Sequence, residues 1–137
     1  MFHFEDSEIF EYYPELELRR FIKYTPSRNH VIMYTYEVNP TKISNRQNLL
    51  EYINAMNVEL FNTFIEINLA KTSFRYKSSV CHPEGFSLDN DVEKLIRIHQ
   101  RHFPIVKRCV EGIETTELSP SAYAEYFRKE IIPKNNT

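Results

Sequence analysis

Apolar residues change their spacing in the middle of the chain, between residues 46 and 80, from steps of three and four to steps of two. Leu49, Tyr52, Ile53, Met56 and Leu60 form one stripe at helical spacing, with Arg46, Gln47, Glu51 and Glu59 largely outside it. That pattern predicts an amphipathic helix. Ser44 or Asn45 is placed to cap its start, and Asn57 lies near its end, where an asparagine can leave a helix through a left-handed residue. Alternation follows and predicts a hairpin. A four-residue loop at Ala70-Lys71-Thr72-Ser73 sets Leu69 opposite Phe74, Ile67 opposite Tyr76 and Ile65 opposite Ser78 on an apolar face. On the other face Glu66 meets Lys77 and Asn68 meets Arg75. A slip of one residue would set Ile67 against Arg75 and Glu66 against Tyr76, which disfavours it. The turn holds no Gly or Asn-Gly, so a tight two-residue loop is not expected.

Upstream, residues 17–25 and 31–38 are rich in β-branched and aromatic residues and flank Ser27-Arg28-Asn29-His30, a second hairpin. Pro40 bars the second strand from continuing as a central one. Residues 1–17 hold six acids, no Lys or Arg, and interleaved aromatics. They predict a short helix over about 6–13, stopped by Pro14, in a segment that lids the domain with its aromatics or docks through its acids. Downstream, Val92, Leu95, Ile96, His99, Phe103, Val106, Val110 and Ile113 track one face of the longest helix. Ser87 or Asp89 would cap it, Pro104 should kink it about a turn earlier, and Gly112 should end it at the position after the last turn. Ser119 as N-cap and Pro120 at the first helical position start a last helix that runs to about Ile131 and stops at Pro133. The expected architecture is α+β: an antiparallel sheet of about four strands with helices packed against it. A single domain over 18–132 would lie between the segment 1–17 and a tail, 133–137.

Composition changes this picture in a few places. At 137 residues the chain suits one domain with a radius of gyration of about 14 Å and a core that needs no staples. Two glycines argue against phosphate-cradling loops and dinucleotide fingerprints. A net charge of −2 denies it a whole-chain basic footprint for nucleic acid. Cys81 and Cys109 are too few for a disulfide framework and read as free thiols. The first residues carry acids where a signal peptide carries bases, and no apolar run approaches the roughly 20 residues of a membrane span. A soluble, cytoplasmic protein is expected.

The stretch Asn45–Asn57 followed by Phe64–Ser79, above all Phe74-Arg75-Tyr76-Lys77-Ser78-Ser79, resembles the middle of YbjN-type domains, a bacterial family associated with sensory-transduction regulation. The helix with Phe103-Pro104 and Val110-Glu111-Gly112, then Leu118-Ser119-Pro120, is similar to that family's later helix, glycine and short terminal helix. The likeness spans roughly residues 20–127 and is one of pattern, without a catalytic signature. It implies a fold like that of the dimeric type III secretion chaperones. Two departures stand out. Only about 17 residues precede the first hairpin, too few for the helix and strand usual there. Asn68 and Ala70-Lys71-Thr72 replace the acid and glycine usual in the central turn.

Candidate chemistry is sparse. Cys81, His82, His99, His102 and Cys109 are metal-ligand types, but no paired short spacing such as CxxC occurs, and His99 and Cys109 fall on or beside the apolar face. His82 next to Cys81 would point away from it on an extended segment, and Glu51 and Glu66 lie on solvated faces. No catalytic, cofactor or metal site is expected. Lys94, Arg97, Arg101 and Arg108 recur opposite the core face of the long helix, with Lys107 nearby, either as a solvated face or as a dock for acidic partners. Ile98 and Ile105, seven apart, flank that stripe and could meet a second copy in a homodimer. The sequence therefore favours a non-enzymatic protein-binding or chaperone-like module, and the resemblance to YbjN-type domains implies a bacterial stress or signalling regulator. It would capture a peptide client on an apolar sheet or groove surface, or by strand addition at an edge. The alternative is a regulatory adaptor that docks acidic partners or nucleic acid through the basic helix face. Nucleic acid is the less favoured ligand of that face.

Overall fold

The alternating segments assemble into an antiparallel sheet, and the stripes at helical spacing lie down on one side of it. The computed structural model describes residues 9–12, 18–25, 29–40, 42–43, 46–81 and 88–132. Its elements are β1 (Ile9–Tyr12), β2 (Leu18–Thr25), β3 (His30–Glu37), α1 (Leu49–Val58), β4 (Thr63–Asn68), β5 (Ser73–Cys81), α2 (Leu88–Gly112) and α3 (Pro120–Ile131). The strand order is β1-β2-β3-β5-β4, with every neighbouring pair antiparallel. The α+β class expected from the pattern is the class observed.

Burial alternates along the strands as the sequence requires. Ile22, Val31, Met33, Thr35, Ile65, Phe74, Tyr76 and Ser78 turn toward the helices. α2 lies against β3 and β5, while α1 packs between β4 and α3. The larger apolar cluster joins Leu49, Tyr52, Ile53 and Met56 to Phe103, Val106, Val110, Ile113 and Phe127. Phe74 of β5 stacks on Phe103 of α2, with centroids 5.7 Å apart and 17° between the rings, which adds about 1 kcal/mol to simple burial. A smaller cluster of Ile22, Val31, Met33, Val92 and Leu95 fills the other end.

Several local expectations are corrected. Ile9–Tyr12 is a strand, not part of a helix: it pairs with β2 from Ile9↔Lys23 to Tyr12↔Arg20, and a ladder of backbone bonds outweighs the weak helical preference of so short a segment. Pro14, the expected stop, lies outside the described residues, as do Ser44, Asn45, Ser87 and residues 133–137. Helix α1 begins with Asn48 in the cap position and no side-chain capping bond.

In the β4–β5 hairpin the loop has four residues, but it is Leu69-Ala70-Lys71-Thr72, one residue earlier than expected. Ile67 therefore faces Phe74, Ile65 faces Tyr76, and Glu66 faces Arg75. Each residue keeps its predicted face, because the offset of two preserves the pleat. The cause is local: Asn68 Oδ1 accepts the Lys71 N–H at 3.1 Å, and Thr72 takes a left-handed φ of 50°, so the chain turns before Leu69 can pair. Leu69 is left 60% exposed.

Asn57 does not leave α1 through a left-handed turn. That conformation belongs to Asn62, with φ 59°. The Asn57 side chain instead clamps the outer edge of β4: its Oδ1 accepts the Ile65 N–H at 2.7 Å, and its Nδ2 donates to the Ile65 carbonyl at 3.0 Å.

Gly112 is the last residue of α2 and makes room for a neighbour. A Cβ there would sit 2.5 Å from the Tyr123 hydroxyl, which donates to the Cys109 carbonyl at 2.7 Å. The helix runs unbroken through Pro104, which is exposed. Ser119 caps α3 as expected, accepting the Ala122 N–H at 3.3 Å, with Pro120 leading the helix.

Candidate binding groove

The two central strands part company. β3 and β5 pair from His30↔Cys81 to Thr35↔Tyr76 and no further. Beyond that point β3 continues on β2 as far as Glu37↔Leu18, and β5 continues on β4 as far as Ser73↔Asn68. Backbone alternation tells which groups face the gap. Because the Ile65 N–H and C=O both point outward to Asn57, the backbone groups of Glu66 point inward to Arg75. Those of Phe74 and Tyr76 then point toward β3. Tyr76 meets Thr35 there; Phe74 and Glu37 face each other across the open fork.

Pro40 helps to explain the parting. It lies just past the end of β3 and has no N–H to donate to a ladder. At the outer end of the fork the Ile43 N–H donates to the Thr72 carbonyl at 3.0 Å. The fork is thus closed at its inner end by the Thr35–Tyr76 pair and at its outer end by the Ile43–Thr72 bond.

A groove of about 1140 Å³ occupies the fork and opens on the sheet face away from the helices. Phe21, Tyr34, Tyr36, Val38, Pro40 and Leu69 supply most of its apolar lining. Phe21 and Tyr34 are partners across β2 and β3, with ring centroids 6.1 Å apart. Arg75 lays its guanidinium 3.9 Å over the Tyr34 ring and donates from Nε to Glu66 Oε1 at 2.7 Å. Lys77 Nζ stands 3.6 Å from the other Glu66 oxygen. Glu37, at the rim, is held by Lys107 of α2 at 3.7 Å. With the Tyr34 face covered by Arg75, this surface offers poor footing for base stacking.

On the helix side, buried polar groups fasten the inner end of the fork. Arg20, 1% exposed, donates from Nε to Thr35 Oγ1 at 3.0 Å. Thr35 Oγ1 lies 2.8 Å from His99 Nδ1, and Ser78 Oγ lies 2.5 Å from His99 Nε2. A neutral imidazole satisfies both contacts, accepting at one nitrogen and donating at the other. Burial first, then the charges of Arg20 and His102, push the His99 pKa down to about 3. The Tyr76 ring packs 4.8 Å from His99, and its hydroxyl donates to Thr63 Oγ1 at 3.0 Å. Burial raises the Tyr76 pKa to about 12, against the opposing effect of the Thr63 bond. His99 is thus a satisfied core histidine. Burial likewise lifts the Cys109 thiol to about 11, the wrong direction for a nucleophile.

The residues singled out from the sequence lie along α2, and none of them lines the groove. Lys94, Arg97 and Arg101 are exposed on α2, with Arg97 Nη2 3.7 Å from Glu93. Arg108 is tied to Glu130 of α3 at 2.6 Å, and Lys107 to Glu37 and Glu111, so the basic stripe is partly neutralised at its C-terminal end. Ile98 is half-buried, whereas Ile105 packs against the larger core cluster, so the two do not form one free strip. Among the described residues no group of three or more metal-ligand side chains gathers, and no helix is long and apolar enough to cross a membrane. The groove residues escaped the sequence reading because Tyr34, Val38 and Arg75 meet only through the parting of two strands far apart in the chain. Pro40 was the sole local sign of it. Comparison with known proteins finds no matching protein-family model, no matching curated protein and no matching solved structure.

Proposed function

We propose that this protein is a non-enzymatic peptide-binding module, chaperone-like in its mode of action, whose ligand sits in the fork between β3 and β5. One observation carries this reading: the sheet opens between its two central strands and leaves a groove with apolar walls and ladder groups facing inward. Such a site offers what extended peptides need, main-chain partners for affinity and pockets for side chains. Strand addition at β4 is less favourable, since Asn57 already occupies the edge at Ile65.

The likeness of Phe74–Ser79 to YbjN-type domains is the ground for placing the protein among bacterial stress or signalling regulators with a type III secretion chaperone-like fold. Free thiols at Cys81 and Cys109 accord with a cytoplasmic setting. Homodimerisation through this flank of α2 would use Ile98 without Ile105, which packs against the core. Docking of acidic partners through Lys94, Arg97 and Arg101 is the competing proposal.

Peptides selected from a displayed random library against the purified protein provide the test. Binding of a selected peptide, followed by fluorescence anisotropy, should weaken at least tenfold in Val38→Asp and in Tyr36→Ala. It should be unchanged in Arg101→Glu and only mildly sensitive to salt. Selection of no peptide, or equal binding to the groove variants, would refute the groove. A steep salt dependence lost in Arg101→Glu would favour the adaptor instead.

A further inference from the structure

A strand that runs through a site needs two ways out along its own axis, and this fork has neither. The Thr35–Tyr76 pair shuts one end, and the Ile43–Thr72 bond shuts the other. An extended chain can therefore enter only from the open face, with an end of the chain going in first. The charge in the groove says which end.

Arg75 is stacked on Tyr34, and its Nε is spent on Glu66, so the guanidinium plane is fixed before any ligand arrives. Its two terminal nitrogens make no hydrogen bond to the described residues, and the side chain stays 48% exposed beside the groove. A planar donor pair held in this way matches a carboxylate. Lys71 on the groove wall and Lys77 beside Glu66 add positive charge. Of the two acids in the lining, Glu66 is shared between Arg75 and Lys77, and Glu37 is bound to Lys107. A protonated N-terminal amine would find no uncommitted acceptor among them.

We infer that the groove captures the free C-terminus of a peptide ending in an apolar residue. The terminal carboxylate lies on the outer nitrogens of Arg75, and the last side chain is packed among Tyr36, Val38, Pro40 and Leu69. The inward-facing backbone groups of Phe74 and Glu37 pair with the final residues in extended form. This assignment rests on the peptide-binding reading and narrows it to one chain end.

The probes are N-terminally labelled hexapeptides ending in Leu, Val or Phe, each made as the free acid, as the C-terminal amide, and as an amide carrying an internal Glu. Anisotropy titration should show the free acid binding at least tenfold more tightly than either amide. In Arg75→Gln that preference, read as the ratio of acid to amide affinity in the same protein, should collapse to less than threefold. Arg75→Lys should recover only part of the preference, because an ammonium cannot present two coplanar donors. Equal binding of acid and amide overturns the C-terminal assignment and leaves the peptide groove standing. So does an acid preference that survives in Arg75→Gln, or an internal Glu that restores the amide. If no hexapeptide binds and library selection also returns none, both fall.

Discussion

Acid should loosen this protein through His99, by an amount that can be worked out in advance. The imidazole is fully buried between Thr35 and Ser78, with Tyr76 against its ring, and its pKa falls to about 3 in the folded chain from the ordinary 6.5 of a solvated histidine. A second proton would place a charge near Arg20 and His102 and would break whichever contact needs an accepting nitrogen. The sign follows from the lowered folded value. Above 6.5 neither state binds the proton and stability is whole; as pH falls below 6.5 the unfolded chain takes it up and the folded chain does not. Each further pH unit then removes about 1.4 kcal/mol, so about 2–3 kcal/mol is gone by about pH 4.5. That is a sizeable share of the roughly 5–15 kcal/mol typical of a small domain.

Urea unfolding of the native chain and of His99→Gln, followed by circular dichroism over this range, measures the effect. The amide keeps one donor and one acceptor but does not titrate. At neutral pH the variant should be less stable by about 1–3 kcal/mol, reflecting imperfect contacts to Thr35 and Ser78. Toward acid its stability should fall less steeply, so the two curves converge. His102, whose pKa burial and Arg101 lower in the same direction, is present in both proteins, as are the carboxylates, so the comparison isolates His99. Parallel curves would refute the reasoning, since they would mean that His99 is protonated in the fold at little cost.

Three other outcomes are expected. Gly112→Ala should destabilise by about 1–3 kcal/mol, visible as a lower calorimetric Tm, because its Cβ would press on the Tyr123 hydroxyl at 2.5 Å. The double change with Tyr123→Phe should relieve the clash and cost less than the sum of the singles. Asn57→Ala should cost about 1–3 kcal/mol and, by baring the β4 edge at Ile65, raise aggregation in a thioflavin assay. Asn57→Asp, which still accepts the Ile65 N–H, should fall between. Ser119→Ala should lower stability by about 1 kcal/mol through loss of the α3 cap, and denaturant titration would read it directly.

Faces and the two hairpin pairings, β2 with β3 and β4 with β5, were legible in the sequence, whereas register and the pairings beyond each hairpin were not, and the difference has a physical origin. A pleat of period two and a helix of period 3.6 are local, so Leu49, Tyr52, Ile53 and Met56, or Phe74, Tyr76 and Ser78, reveal which side is buried without reference to the rest of the chain. The hairpin register misled for the same reason: an offset of two leaves every residue on its predicted face, and only the Asn68 turn and the left-handed Thr72 separate the two pairings. The short strand Ile9–Tyr12 depends on β2 for its partner, and nothing inside those four residues announces it.

The fork is the extreme case, because it consists of pairings that stop. β3 stays with β2 and β5 stays with β4, and Thr35 is the last residue held by both neighbours. At that residue Arg20, His99 and, through His99, Ser78 converge from β2, α2 and β5. The buried polar chain thus stands where the ladder would otherwise begin to unzip. In the fold it fastens strands that the groove requires to separate one residue later. Weakening it should therefore raise hydrogen exchange first at Tyr76 and Thr35, before the helices open. Exchange that rose uniformly through the sheet and α2 would show instead that the fork has no stability of its own to lose.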